Sequence, residues 1–178
     1  YYGYYATPLQ FCFPNTSFFA QGITIKGHGE NTVAGVRQSL SEADLPTAVP
    51  TNVKLELLFG ADHEHLGLYI DPAALARKLG SMIGVPPPTD IRFSAVPQPA
   101  THVRLLKRLI QVLVEELEDG VHTLAGGPLV ELEQAIMVAF LHCHQHNYRS
   151  FLERRVEAIA PWQVRDVEGY IEANWDNP

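Results

Sequence analysis

Residues 64–75, EHLGLYIDPAAL, contain the change from strand to helix that decides the fold. Up to Ile70 the apolar residues alternate with other residues, which is typical of a strand that buries one face. Asp71 is a favourable helix N-cap and is followed by a proline, which suits the first helical position. A short helix is therefore predicted over residues 72–82, ending near Gly84. This stretch separates a strand-rich part of the chain from a helical part.

Upstream of this stretch, short segments of alternating apolar residues predict several strands. The clearest are residues 9–13, 18–26 and 53–59. Residues 27–31, GHGEN, have the composition of a turn. Short strands separated by glycine and proline are typical of a sandwich or barrel. We therefore expect an all-β unit over residues 1–95, with the short helix attached near its end.

The second half of the chain is predicted to form an antiparallel helical hairpin over residues 96–150. Its helices are expected over about 101–118 and 128–144, and the connector between them is short enough for such a hairpin. In the first helix, apolar residues repeat at spacings of three and four, which is the pattern of a heptad seam. The seam residues are Val103, Leu106, Ile110, Leu113 and Leu117.

The charges of the first helix indicate a second copy of the chain. Basic residues lie near its N-terminus and acidic residues near its C-terminus, and the helix dipole disfavours both placements. An antiparallel copy of the same helix would set each basic end against an acidic end. The residues concerned are Arg104, Lys107, Arg108, Glu115, Glu116, Glu118 and Asp119. We therefore expect a homodimer with the seam Val103, Leu106, Ile110, Leu113 and Leu117 at its interface.

Composition narrows the class of protein. The chain has 178 residues, of which 46% are hydrophobic and 19% charged, as in ordinary soluble globular proteins. Its net charge of −7 disfavours nucleic-acid binding by this part of the protein. Two cysteines make no disulfide framework, which favours a cytoplasmic protein, and no apolar run predicts a membrane span. The N-terminus does not resemble a signal peptide, and the missing initial Met and the abrupt C-terminal end at Pro178 predict a fragment.

Two groups of histidines are candidate metal ligands. His63 and His65 share a face if they lie on a strand, but the further ligands of a cupin metal site do not follow at suitable spacing, so a solvated turn is predicted. Of His142, His144 and His146, only the first and last share a helix face. These three are expected to be histidines at a helix C-terminus, favoured there by the dipole. No metal or other cofactor is predicted.

No catalytic residue is predicted either. The sequence contains no G-x-S-x-G elbow and no cysteine with the signature of a histidine-paired nucleophile. Cys143 lies on an apolar helix stripe and is expected to be a small core residue. The sequence therefore favours a protein that is not an enzyme.

Three segments resemble the AraC/XylS family of bacterial transcription regulators. Residues 64–75 are similar to the last barrel strand and following helix of AraC-binding-like sensor domains. Residues 146–150, HNYRS, resemble the HNYS sequence that ends the helical hairpin in many of these regulators. Residues 161–178 are similar to the helix that opens the DNA-binding region, where the chain stops. The chain thus resembles the effector-sensing and dimerising half of such a regulator.

The resemblance implies an α+β fold with an N-terminal cupin-like β-barrel, a C-terminal helical hairpin and a linker helix. The barrel would hold a small-molecule effector, the hairpin would form the homodimer, and residues 151–178 would lead to a DNA-binding domain outside this sequence. DNA would be bound only through that missing C-terminal domain. A cytoplasmic bacterial protein with no membrane contact is expected.

Aromatic residues near the N-terminus are the candidate effector contacts. Phe11, Phe13 and Phe19 are expected to line the barrel and stack on a planar ligand. Because the family's effectors include aromatic acids, Lys26 and Arg37 are expected to face inward and pair with a carboxylate. Two alternatives stay open. One is a cupin-type metalloenzyme, and the other is a plain dimerisation module whose barrel interior is filled by its own side chains.

Overall fold

A computed structural model of the chain describes residues 1–42, 47–86, 89–94, 100–118, 126–153, 166–167 and 169–171. The strands of this part of the chain are β1 Tyr2–Tyr5, β2 Leu9–Phe13, β3 Phe19–Lys26, β4 His28–Val33, β5 Val36–Ser41, β6 Leu55–Phe59 and β7 His63–Ile70. They are followed by the helices α1 Pro72–Ile83, α2 Ala100–Glu118, α3 Gly127–Cys143 and α4 Arg149–Glu153. Most of the predicted linker helix lies outside the described residues.

The strands form two antiparallel sheets, in agreement with the predicted α+β class. One sheet has the order β1-β7-β3 and the other the order β2-β6-β4-β5. Side chains from both sheets line one internal cavity, so the sheets pack face to face. Within the described residues the sheets stay separate, and the cupin-like unit is a sandwich of two sheets.

Of the turn predicted over residues 27–31, only Gly27, whose φ is 86°, lies between two strands, because β4 begins at His28 and runs through the rest of the segment. The hairpin between β4 and β5 is made by Ala34 and Gly35, whose φ angles are 48° and 84°. Two successive residues with positive φ make a hairpin loop that matches the twist of the flanking strands. The polar composition of β4 misled the prediction, since pairing with both β5 and β6 overrides its weak strand propensity.

Strand β7 lies at the centre of the three-stranded sheet, and its two sides face different surroundings. Leu66, Leu68 and Ile70 belong to the large apolar cluster that includes the helices. His63 and His65, on the other side, line the cavity between the sheets. This alternation follows from the two-residue period of a strand.

Helices α1, α2 and α3 cover the outer face of the three-stranded sheet. Leu75 and Leu79 of α1, Leu106 of α2 and Phe140 and Leu141 of α3 are fully buried in the same cluster. Burying a side chain of this size contributes about 1.5–3 kcal/mol. None of the helices in the described part of the chain combines the length and apolarity that a membrane span requires.

Helix α1 confirms the prediction made from residues 64–75. The Asp71 side chain accepts a hydrogen bond from the backbone N–H of Ala74 at 2.7 Å. The helix ends at Ile83, and Gly84 follows with a φ of 67°, the left-handed conformation that glycine adopts at helix ends. Both ends of α1 are thus specified by local sequence.

The seam predicted for α2 belongs to this chain's own core. Val103, Leu106 and Ile110 are buried among residues of the sheet, α1 and α3, and Leu113 is half-buried against the same cluster. The side chain of Leu117 lies outside the described residues. The three- and four-residue spacing correctly identified a buried face, but what that face contacts is the rest of the same chain.

Candidate functional site

A cavity of about 50 Å³ lies between the two sheets. The four-stranded sheet gives it a mostly apolar wall with one polar residue, Asn31, while the buried polar residues from β3 and β7 are Gln21, Thr24, His63 and His65. None of the described residues that line it is an Asp, Glu, Lys or Arg. The volume holds a few small atoms or waters, well below the roughly 300–1,000 Å³ of a typical ligand pocket.

Three buried residues that line the cavity each have a polar side-chain atom with no hydrogen-bond partner among the residues that the structure describes. The atoms are Asn31 Oδ1, His63 Nε2 and His65 Nδ1. Their residues are only 3%, 0% and 8% exposed. A buried polar atom without a partner costs about 1–3 kcal/mol, and folded proteins pair nearly all such atoms. Three such atoms around one cavity make it the candidate functional site.

One hydrogen bond fixes the tautomer of His63. Its Nδ1 lies 3.1 Å from the backbone oxygen of His28, and a carbonyl oxygen only accepts, so Nδ1 carries the proton. Burial lowers the pKa of His63 below its ordinary value, so the ring is neutral at pH 7. The unpaired Nε2 is therefore a hydrogen-bond acceptor.

His65 is held in the same cavity wall by aromatic rings. Its centroid lies 4.7 Å from that of Phe59 and 5.6 Å from that of Tyr5. Burial, with a smaller effect of the nearby His63, lowers the pKa of His65 to about 4. Gly3 is its partner on β1, and a Cβ at Gly3 would lie 2.8 Å from His65 Cε1. The ring thus occupies space that only glycine leaves open.

An aromatic cluster adjoins the cavity at Phe59. Tyr5 stacks on Phe59 with a centroid distance of 5.2 Å and contacts Phe11 at 5.6 Å. Burial, followed by a hydrogen bond to the Tyr1 hydroxyl, raises the pKa of Tyr5 to about 12. Tyr5 therefore stays a neutral phenol beside the site.

The three predicted aromatic contacts do not lie together. Phe11 is half-buried in the cluster with Phe59, and Phe13 stacks on Phe11 at 6.3 Å but is 36% exposed. Phe19 lies on the opposite face of the sheet, where its ring is 5.2 Å from Phe93. Phe11 therefore contacts the cavity-lining Phe59, Phe13 lies beyond Phe11 toward solvent, and Phe19 belongs to the core under the helices.

The expectation that Lys26 and Arg37 face inward is wrong. Both side chains are exposed, and Arg37 forms a salt bridge with Glu30 at 3.5 Å on the outer surface. Arg37 is paired with Thr32 on β4, one position from the inward-facing Asn31, which places it on the solvent side of the sheet. Neither cation reaches the cavity.

The prediction of a solvated turn at His63 and His65 is also wrong, because both residues are buried in β7. The alternation of Leu66 and Leu68 gave no signal of this burial, because it places both histidines on the opposite side of the strand, which becomes buried through packing of the four-stranded sheet. Asn31 was missed because β4 was not predicted as a strand.

The histidines after α3 differ from the prediction as well. The helix ends at Cys143, so His144 and His146 lie beyond it and are 2% and 7% exposed, while His142 is exposed. Burial lowers the pKa of His144 and of His146 to about 4, so neither is a cation that favours a helix dipole. His146 donates from Nε2 to the Leu141 oxygen at 3.2 Å and accepts the Tyr148 N–H at Nδ1.

Asn147 explains why the HNYRS segment has its sequence. Its side chain accepts the Arg92 N–H at 3.0 Å and donates to the Asp90 oxygen at 2.9 Å. Its backbone N–H donates to the Arg92 oxygen at 3.1 Å. Asn147 thus ties the chain after α3 to the segment that precedes α2.

A larger open groove of about 560 Å³ lies between the three-stranded sheet and α2. Two of its charged side chains, those of Glu64 and Lys107, have partners in the protein. Glu64 accepts from the Tyr2 hydroxyl at 2.6 Å, and Lys107 donates to the Glu42 oxygen at 3.0 Å. The groove lacks the buried unpaired atoms that distinguish the cavity between the sheets.

Metal binding finds little support in the part of the chain that the structure describes. It contains no group of three His, Cys, Asp or Glu side chains placed to hold a metal ion. His63 and His65 provide two nitrogen ligands, one fewer than the three protein ligands of a catalytic zinc site.

The chain is similar to a known protein family and to a solved structure. The family model of the AraC-binding-like domain matches residues 5–142. Among solved structures, the chain is similar to the crystal structure of the AraC-like transcriptional activator CuxR, with a TM-score of 0.54 and 9% sequence identity. The similarity covers 94% of this chain and 57% of that one, and at this identity it shows the fold alone. No curated protein matches the chain.

Proposed function

Since the chain belongs to the AraC-binding-like domain family, we propose that it is the effector-sensing and dimerising part of an AraC-type transcription regulator. Contact with DNA would then be made by a helix-turn-helix domain outside these 178 residues. The net charge of −7 supports that division, because DNA binding relies on cationic contacts to phosphates. The family also points to a regulatory domain rather than to an enzyme.

The observation that carries the sensing role is the group of unpaired polar atoms around the cavity between the sheets. Asn31, His63 and His65 each bury a polar atom without a partner among the described residues, and a cost to stability of this kind is a common feature of binding sites. Strand β7 links this site to the helices because its other side, through Leu66 and Ile70, packs in the helix-facing core. A bound effector would favour one arrangement of this strand and so shift the population of regulator states.

Homodimerisation is proposed through the exposed face of α2. Leu105 and Val112 are 58% and 42% exposed, and Leu109 between them is half-buried. These positions are separated by four and three residues and form one helix face. Arg108 and Glu115 are exposed on the same helix, before Leu109 and after Val112. In an antiparallel pair of these helices, Arg108 of one copy would lie near Glu115 of the other, so opposite charges would meet.

Sedimentation equilibrium tests this proposal on the wild-type chain and on Leu105→Glu/Val112→Glu. The expected result is a wild-type dimer and a folded monomeric variant, since both substituted side chains are exposed in the single chain. Val130→Glu on α3, where the native side chain is 51% exposed, is the matched control and should remain a dimer. A wild type that stays monomeric at all concentrations tested would refute dimerisation.

One observation favours each of the two alternatives. The inward His63 and His65 share one strand face, as a cupin-type metalloenzyme would require. The small cavity of about 50 Å³ favours a dimerisation module that senses nothing. Metal content after purification, measured with and without His63→Phe, separates the enzyme from the sensor, and ligand binding in the cavity separates the sensor from the plain module.

A further inference from the structure

We infer that the cavity between the sheets takes a compact, uncharged ligand that donates hydrogen bonds, such as a small primary amide or polyol. The inference rests on the proposed function, because it names the ligand class for the site where the effector is proposed to bind. It is argued from three properties of the cavity: the acceptors it presents, its lack of charge and its size.

The cavity presents acceptors that only a donor can satisfy. His63 Nδ1 is committed to the His28 oxygen, so the unpaired Nε2 has only a lone pair to offer. Asn31 Oδ1 is a second unpaired acceptor. His65 Nδ1 is free to take either role, because the neutral imidazole has two tautomers. A ligand with at least two N–H or O–H groups pairs both fixed acceptors.

The absence of charge in the lining disfavours ionic ligands. The described lining residues include no Asp, Glu, Lys or Arg, and the cations predicted to face inward, Lys26 and Arg37, are on the outer surface. A carboxylate would place its lone pairs against two acceptors with no cation to offset its lost hydration. A cation would meet no carboxylate. An aromatic acid, which the family resemblance suggested, is therefore the wrong class for this cavity.

The size of the cavity limits the ligand to a few non-hydrogen atoms. About 50 Å³ accommodates roughly the space of a few water molecules. For a ligand of four non-hydrogen atoms, the best attainable dissociation constant is about 40 µM. Weak, saturable binding is the expected behaviour of a minimal probe.

Acetamide and acetate form the matched pair of probes. They have the same number and arrangement of non-hydrogen atoms, but acetamide donates two hydrogen bonds and is neutral, whereas acetate only accepts and is charged. The experiment titrates each probe, at constant ionic strength, into the 178-residue chain labelled with nitrogen-15 and follows the imidazole signals. Acetamide is expected to shift the His63 Nε2 signal saturably, and acetate is expected to leave it unchanged.

Two variants assign the effect to the cavity. His63→Phe and Asn31→Leu each remove one acceptor, and each should weaken acetamide binding at least about tenfold, the effect of losing one buried hydrogen bond. In His63→Phe the His65 signal is the reporter. Asn31→Leu, which retains the His63 signal, keeps the test usable if His63→Phe does not fold. The surface variant Val130→Ala, on the exposed side of α3, should bind acetamide as the wild type does.

Other outcomes would overturn the inference. Saturable acetate binding that depends on Asn31 would show an anion site, and a His63-dependent response to Zn²⁺ alone would show a metal site. No response to either organic probe would show that the cavity has no ligand of this class. The proposed dimer is measured separately by sedimentation, so failure of the ligand class and failure of the regulator function remain distinguishable.

Discussion

Leu66 and His65 are neighbours on β7, yet the two sides of that strand are built differently. Leu66 packs in a core whose largest members, among them Phe140 and Leu75, have no exposed surface. His65 lines a cavity that includes unpaired polar atoms. The helix-facing side of β7 therefore provides most of the stability, whereas the inward side is less stable because its polar atoms are placed for ligand recognition.

The largest expected effect is in the helix-facing core. Leu106→Ala removes a side chain with no exposed surface and should lower the free energy of unfolding by about 2–5 kcal/mol. Arg104→Ala changes an exposed side chain of the same helix that lies away from the proposed dimer face, and it should cost less than about 0.5 kcal/mol. Urea denaturation measures both. Equal effects at the two positions would contradict the orientation of α2.

The pH dependence of stability compares the inward side with the chain after α3. Burial lowers the pKa of His65, His144 and His146 to about 4, against about 6.5 in the unfolded chain. Between these values the unfolded state binds more protons. The contribution of these histidines to the free energy of unfolding is therefore fully present above pH 6.5. It decreases as the pH falls toward 4, by about 1.4 kcal/mol per pH unit for each histidine.

Two variants divide this effect between the regions. His65→Phe and His144→Phe should each make the pH dependence of the unfolding free energy shallower by about 1.4 kcal/mol per unit between pH 6 and 5. Urea denaturation at both pH values measures the slopes. If neither substitution changes the slope, the two rings titrate alike in the folded and unfolded chains, and the burial assigned to them is wrong.

A smaller effect is expected where Asn147 ties two segments together. Asn147→Ala removes two side-chain hydrogen bonds, to Arg92 and Asp90, and should cost about 1–2 kcal/mol because both are near the surface. Gln145→Ala is the control, because the hydrogen bond that Gln145 makes within the described residues uses its backbone oxygen, which accepts from the Ser94 N–H. The substitution leaves that hydrogen bond in place. If both variants unfold at the same temperature as the wild type, the hydrogen bonds of Asn147 do not stabilise the fold, and they do not explain the HNYRS sequence.

The smallest change in stability is expected on the inward side. Asn31→Leu replaces a buried side chain whose Oδ1 has no partner by an apolar one of similar size. The free energy of unfolding should change by less than about 1 kcal/mol, or increase, because no hydrogen bond to Oδ1 is lost. A loss comparable to that of Leu106→Ala would show that Asn31 stabilises the fold rather than serving a ligand.

What the sequence predicted correctly was encoded locally. The ends of α1 follow from Asp71 and Gly84, which act within one turn of the helix. The spans of α2 and α3 follow from apolar periodicity, within one residue at each described end. The family resemblance, carried by short segments, agrees with the match over residues 5–142.

What the sequence did not predict depends on distant contacts. Periodicity showed that one face of α2 is buried, but it does not identify the partner, and Leu106 meets its own chain rather than a second copy. The burial of His63 requires the four-stranded sheet to pack over β7, and the strand character of β4 requires its pairing with β6. These are tertiary effects that override local composition.

The most direct test of the account is the long-range proton–nitrogen spectrum of the imidazole rings at pH 7, with the His63 signals assigned by their loss in His63→Phe. We expect a neutral His63 ring with a protonated Nδ1 and an unprotonated Nε2, so that a hydrogen-bond acceptor faces the cavity between the sheets. A protonated Nε2, in either the other tautomer or the imidazolium form, would contradict it.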